Sequence, residues 1–223
     1  MEVVFATQTG APAIADTRMI TGKGLGIWSP LLKADPAGQK AYQEMILCSA
    51  YRAPQRWHEM KSSDFDGIVL PGGHAPGMKT YLESEVLQTI IADFFSEQKI
   101  IGAICHGVVL VARSKRADGK SVLSGFQSTA LLKTQEITAW LMTCLWLKYY
   151  YRTYAETVQA EVTRHLAASS DFITGPLPLM RDSSDNLKPG FVVEDRNYIS
   201  ARWPGDAHLF GMTLVHHLKN PRN

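Results

Sequence analysis

Cysteine is scarce in this sequence, and neither a long apolar run nor an excess of one charge is present. The chain of 223 residues contains three cysteines, Cys48, Cys105 and Cys144, in apolar or helical settings without the spacing of a metal site. This pattern favours a reducing, cytoplasmic compartment and predicts no metal site. No cofactor is expected either. The apolar runs are too short to span a bilayer, and nothing at the start resembles a signal peptide, so no membrane partner is expected. A net charge of +2 without a long basic run gives no reason to expect nucleic acid.

The rest of the composition describes an ordinary globular protein. Apolar residues make up 45% of the chain and charged residues 20%, and the length is ample for one domain over residues 1–223. β-Branched runs at Gly67–Leu70 and Ile100–Ile104 are typical of buried strands, and an amphipathic helix capped by Ser84 separates them. Strands and helices that alternate at this spacing form right-handed βαβ units. The sequence therefore predicts an α/β fold with a doubly wound, mostly parallel sheet.

The second of these strands ends at a cysteine that lies between two small residues. Gly102 and Gly107 flank Cys105, and the apolar run from Gly107 to Ala112 is typical of a helix. This G-x-x-C-x-G spacing is that of a nucleophile elbow, a sharp strand-to-helix turn that lifts a reactive side chain above the sheet edge. A helix N-terminus there predicts a lowered thiol pKa, a strained Cys105 backbone and N–H groups for an oxyanion. A buried structural cysteine at a strand end fits the local pattern equally well.

A pair of glycines follows the first strand. The Pro71–His74 turn contains Gly72 and Gly73, and adjacent glycines allow a ligand to approach the backbone closely. We expect the Cys105 sulfur to lie near the N–H of Gly73. A plain strand-to-helix turn is the alternative interpretation.

The remaining periodic segments predict an early strand, a helical elaboration over residues 134–170, a late hairpin and a final helix. They are Glu2–Ala6, a helix from Thr134, a helix over Ala155–Ala167, a hairpin around Asp195–Asn197 and a helix from about Gly205. The aromatic run Tyr149–Tyr151 either lines a pocket or packs against the sheet, and we favour packing against the sheet.

Two motifs in combination resemble those of the ThiJ/PfpI superfamily, the class I glutamine amidotransferase-like proteins. They are Leu70–His74 and Ala103–Gly107, and one βαβ unit separates them, as in that superfamily. Phe5, Gly10 and Asp16 resemble the second strand and loop of its glyoxalase III-like branch. The resemblance implies a flavodoxin-like sheet that carries a nucleophile elbow.

The resemblance also implies roles for particular residues. Cys105 matches the family's nucleophile, and His106 matches the histidine beside it. Gly73 matches an oxyanion-hole donor that acts together with the His106 N–H, and Gly72 and His74 complete the candidate binding turn. The thiolate would add to a carbonyl carbon while the histidine moves a proton and the two N–H groups hold the oxyanion.

Two features differ from the family pattern. Its members begin with a strand and a helix that precede the equivalent of Glu2, and that helix carries a glutamate that hydrogen-bonds the cysteine. Either the start codon is misplaced or the protein lacks that first strand and its glutamate. A sheet without its central first strand would expose two edges, so we expect a truncated gene model. The third catalytic residue is the other difference. Glu136 is the candidate to orient His106, although its spacing from Gly125 does not match the acidic residue of the glyoxalase branch.

These observations predict a cysteine-dependent enzyme that acts on small carbonyl compounds, either a glyoxalase III-like lyase or a related hydratase or hydrolase. A true glutamine amidotransferase is disfavoured, because no His-x-Glu pair occurs downstream of the cysteine. The alternatives are a redox-sensing or chaperone-like stress protein, whose cysteine oxidises without turnover, and a peptidase. A homodimer is expected, since pairing would cover a bare sheet edge.

Overall fold

A computed structural model describes residues 1–220 of the protein and contains two compact units. The first unit comprises Met1–Met60 and Ala139–Lys148, and the second comprises Lys61–Thr138 and the chain from Tyr149 onward. The interpretation of residues 1–223 as one domain stays a prediction. No helix within residues 1–220 is long and apolar enough to cross a membrane.

The helices are α1 (Thr17–Thr21), α2 (Ser29–Leu32), α3 (Pro36–Leu47), α4 (Ser49–Arg52), α5 (Met78–Leu82), α6 (Glu85–Ser96), α7 (Gly107–Arg113), α8 (Lys133–Leu147), α9 (Val158–His165) and α10 (Ala207–Lys219). The strands are β1 (Ala6–Thr7), β2 (Gln55–Arg56), β3 (Gly67–Leu70), β4 (Ile100–Ile104), β5 (Val192–Asp195) and β6 (Tyr198–Ala201). The predicted succession of β3, α6, β4 and α7 is therefore present.

In the first unit, the early strand is shorter than the sequence predicted. The prediction of a strand over Glu2–Ala6 is wrong except at its last residue, because β1 begins at Ala6 and pairs in parallel with β2. Val3 and Val4 are exposed, so these β-branched side chains have no sheet face to pack against.

The second unit contains a four-stranded sheet in the order β3–β4–β6–β5. The strands β3, β4 and β6 run parallel, and β5 pairs antiparallel with β6 as the edge strand. Arg196 turns the β5–β6 hairpin with a φ of +57°, which confirms the predicted hairpin. The predicted mostly parallel sheet is confirmed as well.

Successive residues of β4 face opposite sides of the sheet and contribute to the core of this unit on both sides. Gly102 faces α10, where a Cβ atom would lie 2.6 Å from Leu214 Cδ2, so the glycine lets the helix approach the sheet. Because successive strand residues point to opposite faces, Ile101 and Ala103 are buried on the other side. Helices α6 and α7 both pack against β4.

An ion pair joins α9 to the helix that follows Cys105. Arg113, at the end of α7, donates to both carboxylate oxygens of Glu161 at 2.7 and 3.1 Å. Both side chains are mostly buried, and a bidentate pair of this kind fixes geometry as well as adding energy. The segment leading into α9 is therefore anchored close to the elbow helix.

Candidate active site

Cys105 lies at the sharp turn between β4 and α7, as the sequence predicted. Its φ is +57°, in the left-handed region that residues other than glycine usually avoid. Its N–H donates to the carbonyl oxygen of Ala201 at 3.0 Å, which ties the turn to the carboxyl end of β6. The predicted backbone strain at Cys105 is confirmed, and such strain is often found at functional sites.

Two glycines allow the turn after β3 to press directly against this elbow. A Cβ atom on Gly72 would lie 2.5 Å from the Cβ of Cys105, and one on Gly107 would lie 2.3 Å from the carbonyl oxygen of Leu70. Real Cβ atoms essentially never come closer than 3.0 Å, so only glycine fits at either position. The predicted contact between the Cys105 sulfur and the Gly73 N–H stays a prediction.

His106 faces the cysteine with one of its ring nitrogens. The Nδ1 atom lies 3.4 Å from the Cys105 sulfur, and the imidazole is buried, with 1% of the residue exposed. Burial, together with the smaller effect of the neighbouring His74, lowers the pKa of His106 to about 3. His106 is therefore neutral at physiological pH and can accept a proton.

The other ring nitrogen of His106 contacts a residue that the sequence did not single out. Its Nε2 atom lies 3.2 Å from the hydroxyl of Thr153, which donates to the carbonyl oxygen of His74 at 3.0 Å. Thr153 follows His106 by 47 residues, and no motif or spacing in the sequence marks it. The side chains thus form one chain from Cys105 through His106 to Thr153.

Glu136 does not hold the position that the sequence suggested for it. Its carboxylate forms an ion pair with Arg152, whose Nε lies 3.1 Å away, and accepts a hydrogen bond from the Val158 N–H, at the start of α9, at 2.9 Å. Burial raises the pKa of Glu136, and these two donors oppose that shift. The interpretation of Glu136 as the residue that orients His106 is wrong, because the two nitrogens of that ring face Cys105 and Thr153.

Aromatic rings surround the turn after β3. His74 stacks on the buried Tyr151, with ring centroids 4.4 Å apart, and meets Tyr150 edge-on at 4.9 Å. The ring centroids of His74 and His106 are 6.3 Å apart. The sequence favoured packing of these tyrosines against the sheet, whereas the structure places Tyr150 and Tyr151 beside the candidate site.

The Cys105 thiol has a raised pKa, which corrects the sequence-based expectation. Burial raises the pKa of Cys105 to about 12, the His106 backbone N–H opposes the shift, and the negative charges of Glu136 and Asp206 add to it. The predicted lowering is wrong, because loss of solvent around the sulfur outweighs the favourable N–H at the start of α7. At neutral pH Cys105 is therefore a thiol, and it faces the neutral imidazole of His106.

The nearby carboxylate of Asp206 belongs to a saturated structural pair. Arg202 Nε and Nη2 each donate to it at 2.9 Å, and both side chains are fully buried. The backbone N–H of Phe191 also donates to Asp206, at 3.0 Å. Within residues 1–220, no group of three or more His, Cys, Asp or Glu side chains is arranged to hold a metal ion.

The raised thiol pKa predicts slow alkylation of Cys105 near neutral pH. Iodoacetamide should modify Cys105 more slowly than the exposed Cys48 at pH 7.5, because alkylation requires the thiolate. The Cys105 rate should then rise about tenfold per pH unit between about pH 8 and 11, since the thiolate fraction rises by that factor below the pKa. Mass spectrometry of each cysteine peptide measures both rates, with urea-unfolded protein as the control. Faster labelling of Cys105 at pH 7.5 would contradict the raised pKa.

The buried, neutral His106 predicts a loss of stability in acid. Above its ordinary pKa of 6.5, neither the folded nor the unfolded state binds the proton, and the contribution to stability is complete. As the pH falls from about 6.5 towards 3, only the unfolded state is protonated, which costs up to about 1.4 kcal/mol per pH unit. Denaturant unfolding at pH 7, 5.5 and 4.5 should show a shallower decline for His106→Gln. The exposed His216→Gln variant should keep the wild-type slope, and identical slopes in all three proteins would contradict this account.

Comparison with known proteins yields a family and several structural neighbours. Residues 1–176 match the model of a family described as ThiJ/PfpI family-like. An uncharacterized protein of Schizosaccharomyces pombe is 27% identical over 120 residues, which are 50% of this chain and 43% of that protein. The chain spans less than half the length of the curated relatives it matches.

Solved structures share the fold at low sequence identity. The Rapid Encystment Protein 24 kDa of Francisella tularensis aligns with a TM-score of 0.63 at 17% identity, over 84% of this chain and 73% of that one. Glyoxalase III of Candida albicans aligns with a TM-score of 0.59 at 17% identity, over 80% of this chain and 69% of that one. These alignments, together with the parallel sheet, establish the flavodoxin-like fold that the motifs implied.

Proposed function

Because this chain belongs to the ThiJ/PfpI family-like family, we propose that it is a cysteine-dependent enzyme acting on small carbonyl compounds. The observation that carries the proposal is the pairing of a strained Cys105 with His106 Nδ1 at 3.4 Å. A nucleophile and a base within reach of each other, with the base oriented by a third group, are typical of covalent catalysis. The reaction we favour is that of a glyoxalase III-like lyase, which converts a 2-oxoaldehyde and water into a 2-hydroxy acid.

The first step forms a bond between sulfur and the aldehyde carbon. The Cys105 sulfur adds to that carbon, the carbonyl π electrons move to oxygen, and His106 Nδ1 takes the thiol proton. The N–H groups of Gly73 and His106 would hold the developing oxyanion, which then takes up the proton to give a hemithioacetal. The Cys105 thiol must lose its proton as it attacks the aldehyde carbon. The position of His106, which accepts that proton, therefore controls the rate of this step.

The later steps need no outside oxidant or reductant. A proton leaves the former aldehyde carbon and another is added to the adjacent carbonyl carbon, so the first carbon is oxidised and the second is reduced. The product of this shift is a thioester of the 2-hydroxy acid with Cys105. Water then adds to the thioester, the carbon–sulfur bond breaks, and the cysteine recovers its proton. His106 is the group beside the sulfur that can accept and return these protons.

The raised thiol pKa favours this proposal over a redox-sensing stress protein. Oxidation to sulfenic and sulfinic acid begins from the thiolate, and a thiol with a pKa of about 12 supplies little of it at neutral pH. In the proposed enzyme the proton passes to His106 Nδ1, 3.4 Å away, as the sulfur attacks the carbonyl carbon. The fold shared with the Candida albicans glyoxalase III agrees with lyase chemistry and does not by itself select it.

Product analysis tests the proposal directly. The purified protein is incubated with methylglyoxal, and the 2-hydroxy acid is identified by chromatography against lactate standards. Formation of lactate in amounts well above one equivalent per chain would support the lyase reaction. Conversion of Cys105 to sulfinic acid by hydrogen peroxide, with no turnover of methylglyoxal or phenylglyoxal, would overturn it and favour the redox alternative.

A further inference from the structure

We infer that Thr153 is a positioning residue that holds His106 as a neutral base with its Nδ1 atom open to the Cys105 thiol. The inference rests on the proposed function, because it assigns the group that prepares the same nucleophile. Thr153 acts through His106 and takes no part in bond formation. It places a neutral hydroxyl at the position where the sequence suggested the carboxylate of Glu136.

The hydrogen bonds that link Cys105, His106, Thr153 and the carbonyl oxygen of His74 have directions that follow from that carbonyl oxygen. The carbonyl oxygen of His74 can only accept, so the Thr153 hydroxyl, 3.0 Å away, donates to it. With that proton committed, Thr153 Oγ1 accepts from His106 Nε2 at 3.2 Å. Since a neutral imidazole carries one N–H, the lone pair of Nδ1 faces the Cys105 sulfur at 3.4 Å. These hydrogen bonds therefore select the one tautomer of His106 that can accept the thiol proton.

The residues on the N-terminal side of Thr153 hold its hydroxyl in place. Arg152 pairs with the buried Glu136, and Tyr151 stacks on the ring of His74. Thr153 itself is buried, with 8% of the residue exposed. Because these contacts restrict the segment before substrate arrives, the acceptor for His106 is preorganised. The role that the sequence assigned to Glu136 becomes an indirect one, through Arg152.

A hydroxyl acceptor has a different effect on the base from that of a carboxylate. A carboxylate would stabilise the protonated imidazole and favour a permanent ion pair with the thiolate. Here His74, the titratable neighbour of His106 besides Cys105, opposes protonation of His106, while Glu136 and Asp206 oppose formation of the thiolate. The resting pair is therefore a thiol and a neutral imidazole, and the proton moves only as the sulfur attacks.

Three variants of the full chain separate this role from a purely structural one. Thr153→Val removes the hydroxyl at nearly constant volume, and Thr153→Ser restores it. Thr157→Val is the matched control, because Thr157 is buried to a similar degree, at 7% exposed, but caps α9 through the Ala160 N–H. Thr157→Val should lower the melting temperature and leave both the tautomer of His106 and the kinetics of methylglyoxal consumption unchanged.

The first measurement reports the tautomer without any turnover. In ¹⁵N-histidine NMR spectra, with His106→Gln used to assign the signal, wild type should show His106 protonated on Nε2. Thr153→Val should shift the signal towards the Nδ1-protonated form, and Thr153→Ser should restore it. The second measurement is the kinetics of methylglyoxal consumption. In this assay Thr153→Val should lower kcat by about 10²-fold and leave KM within a fewfold of the wild-type value. Thr153→Ser should restore kcat.

The two measurements distinguish failure of this inference from failure of the proposed function. A tautomer shift in Thr153→Val that serine reverses supports the positioning role even if wild type consumes no carbonyl compound. An active wild type whose tautomer and kcat are unchanged in Thr153→Val would overturn the role and leave the proposed function standing. Equal losses in the valine and serine variants would also overturn it, because they would show that packing matters and the hydroxyl does not.

Discussion

Replacement of Cys105 by alanine is expected to reduce methylglyoxal consumption to the uncatalysed background, a loss of more than about 10³-fold in kcat. The reason is that alanine leaves no atom able to bond the carbonyl carbon, so His106 has no proton to accept. Alanine keeps the Cβ atom and removes only the sulfur, so the fold should tolerate the change. Stopped-assay measurement of residual methylglyoxal gives the rate, and calorimetry confirms that the variant is folded.

Cys48→Ala is the matched control for this experiment. Cys48 is exposed, and its side chain makes no capping hydrogen bond at the start of α4. This variant should keep full activity, so that a loss in Cys105→Ala is specific to the elbow. Residual activity above one-tenth of wild type in Cys105→Ala would show that the cysteine is not the nucleophile.

Replacement of Gly107 by alanine is expected to destabilise the protein by about 3 kcal/mol and to abolish activity. The new Cβ would lie 2.3 Å from the carbonyl oxygen of Leu70 and 2.7 Å from that of Pro71. Both atoms belong to the backbone, so no side-chain rotation can relieve the overlap. The turn after β3 must move away from Cys105, which separates the candidate oxyanion donors from the sulfur. For a chain of this length, the melting temperature should fall by roughly 10 °C in calorimetry.

Gly211→Ala is the control for Gly107→Ala. It tests whether the loss of stability arises from overlap of the new Cβ with the backbone or from any replacement of a helical glycine. Gly211 lies within α10, and nothing stands within 4 Å of the position its Cβ would take. Alanine there should stabilise the protein by about 0.5–1 kcal/mol, because it reduces the freedom of the unfolded chain without strain. Equal melting temperatures for the two variants would contradict the close approach at Gly107.

Much of the elbow could be predicted from the sequence, because its determinants are local. A β-branched strand, a cysteine between small residues and an apolar helix are neighbours in the chain, and steric rules restrict how they connect. Cys105 accordingly has the strained φ that the spacing implied, and Gly72 lies against it. The β5–β6 hairpin was predictable for the same reason.

The incorrect prediction for Glu136 concerns residues that are far apart in the sequence. The sequence offers Glu136 as the residue that orients His106, yet its carboxylate pairs with Arg152 and with the N–H of Val158 at the start of α9. Thr153 contacts His106 instead, because the segment before α9 passes beside that ring. The Arg113–Glu161 pair anchors α9 beside α7. No local pattern encodes that path.

The sequence by itself determined the parallel α/β framework, the elbow at Cys105 and the two glycines that let the elbow and the β3 turn meet. Only the tertiary structure decided that Thr153 contacts His106 and that the Cys105 thiol has a raised pKa. Periodicity and the steric limits of glycine act over a few residues and can be inferred from a sequence. A hydrogen-bond partner 47 residues away and the loss of solvent around a sulfur depend on every element packed around them.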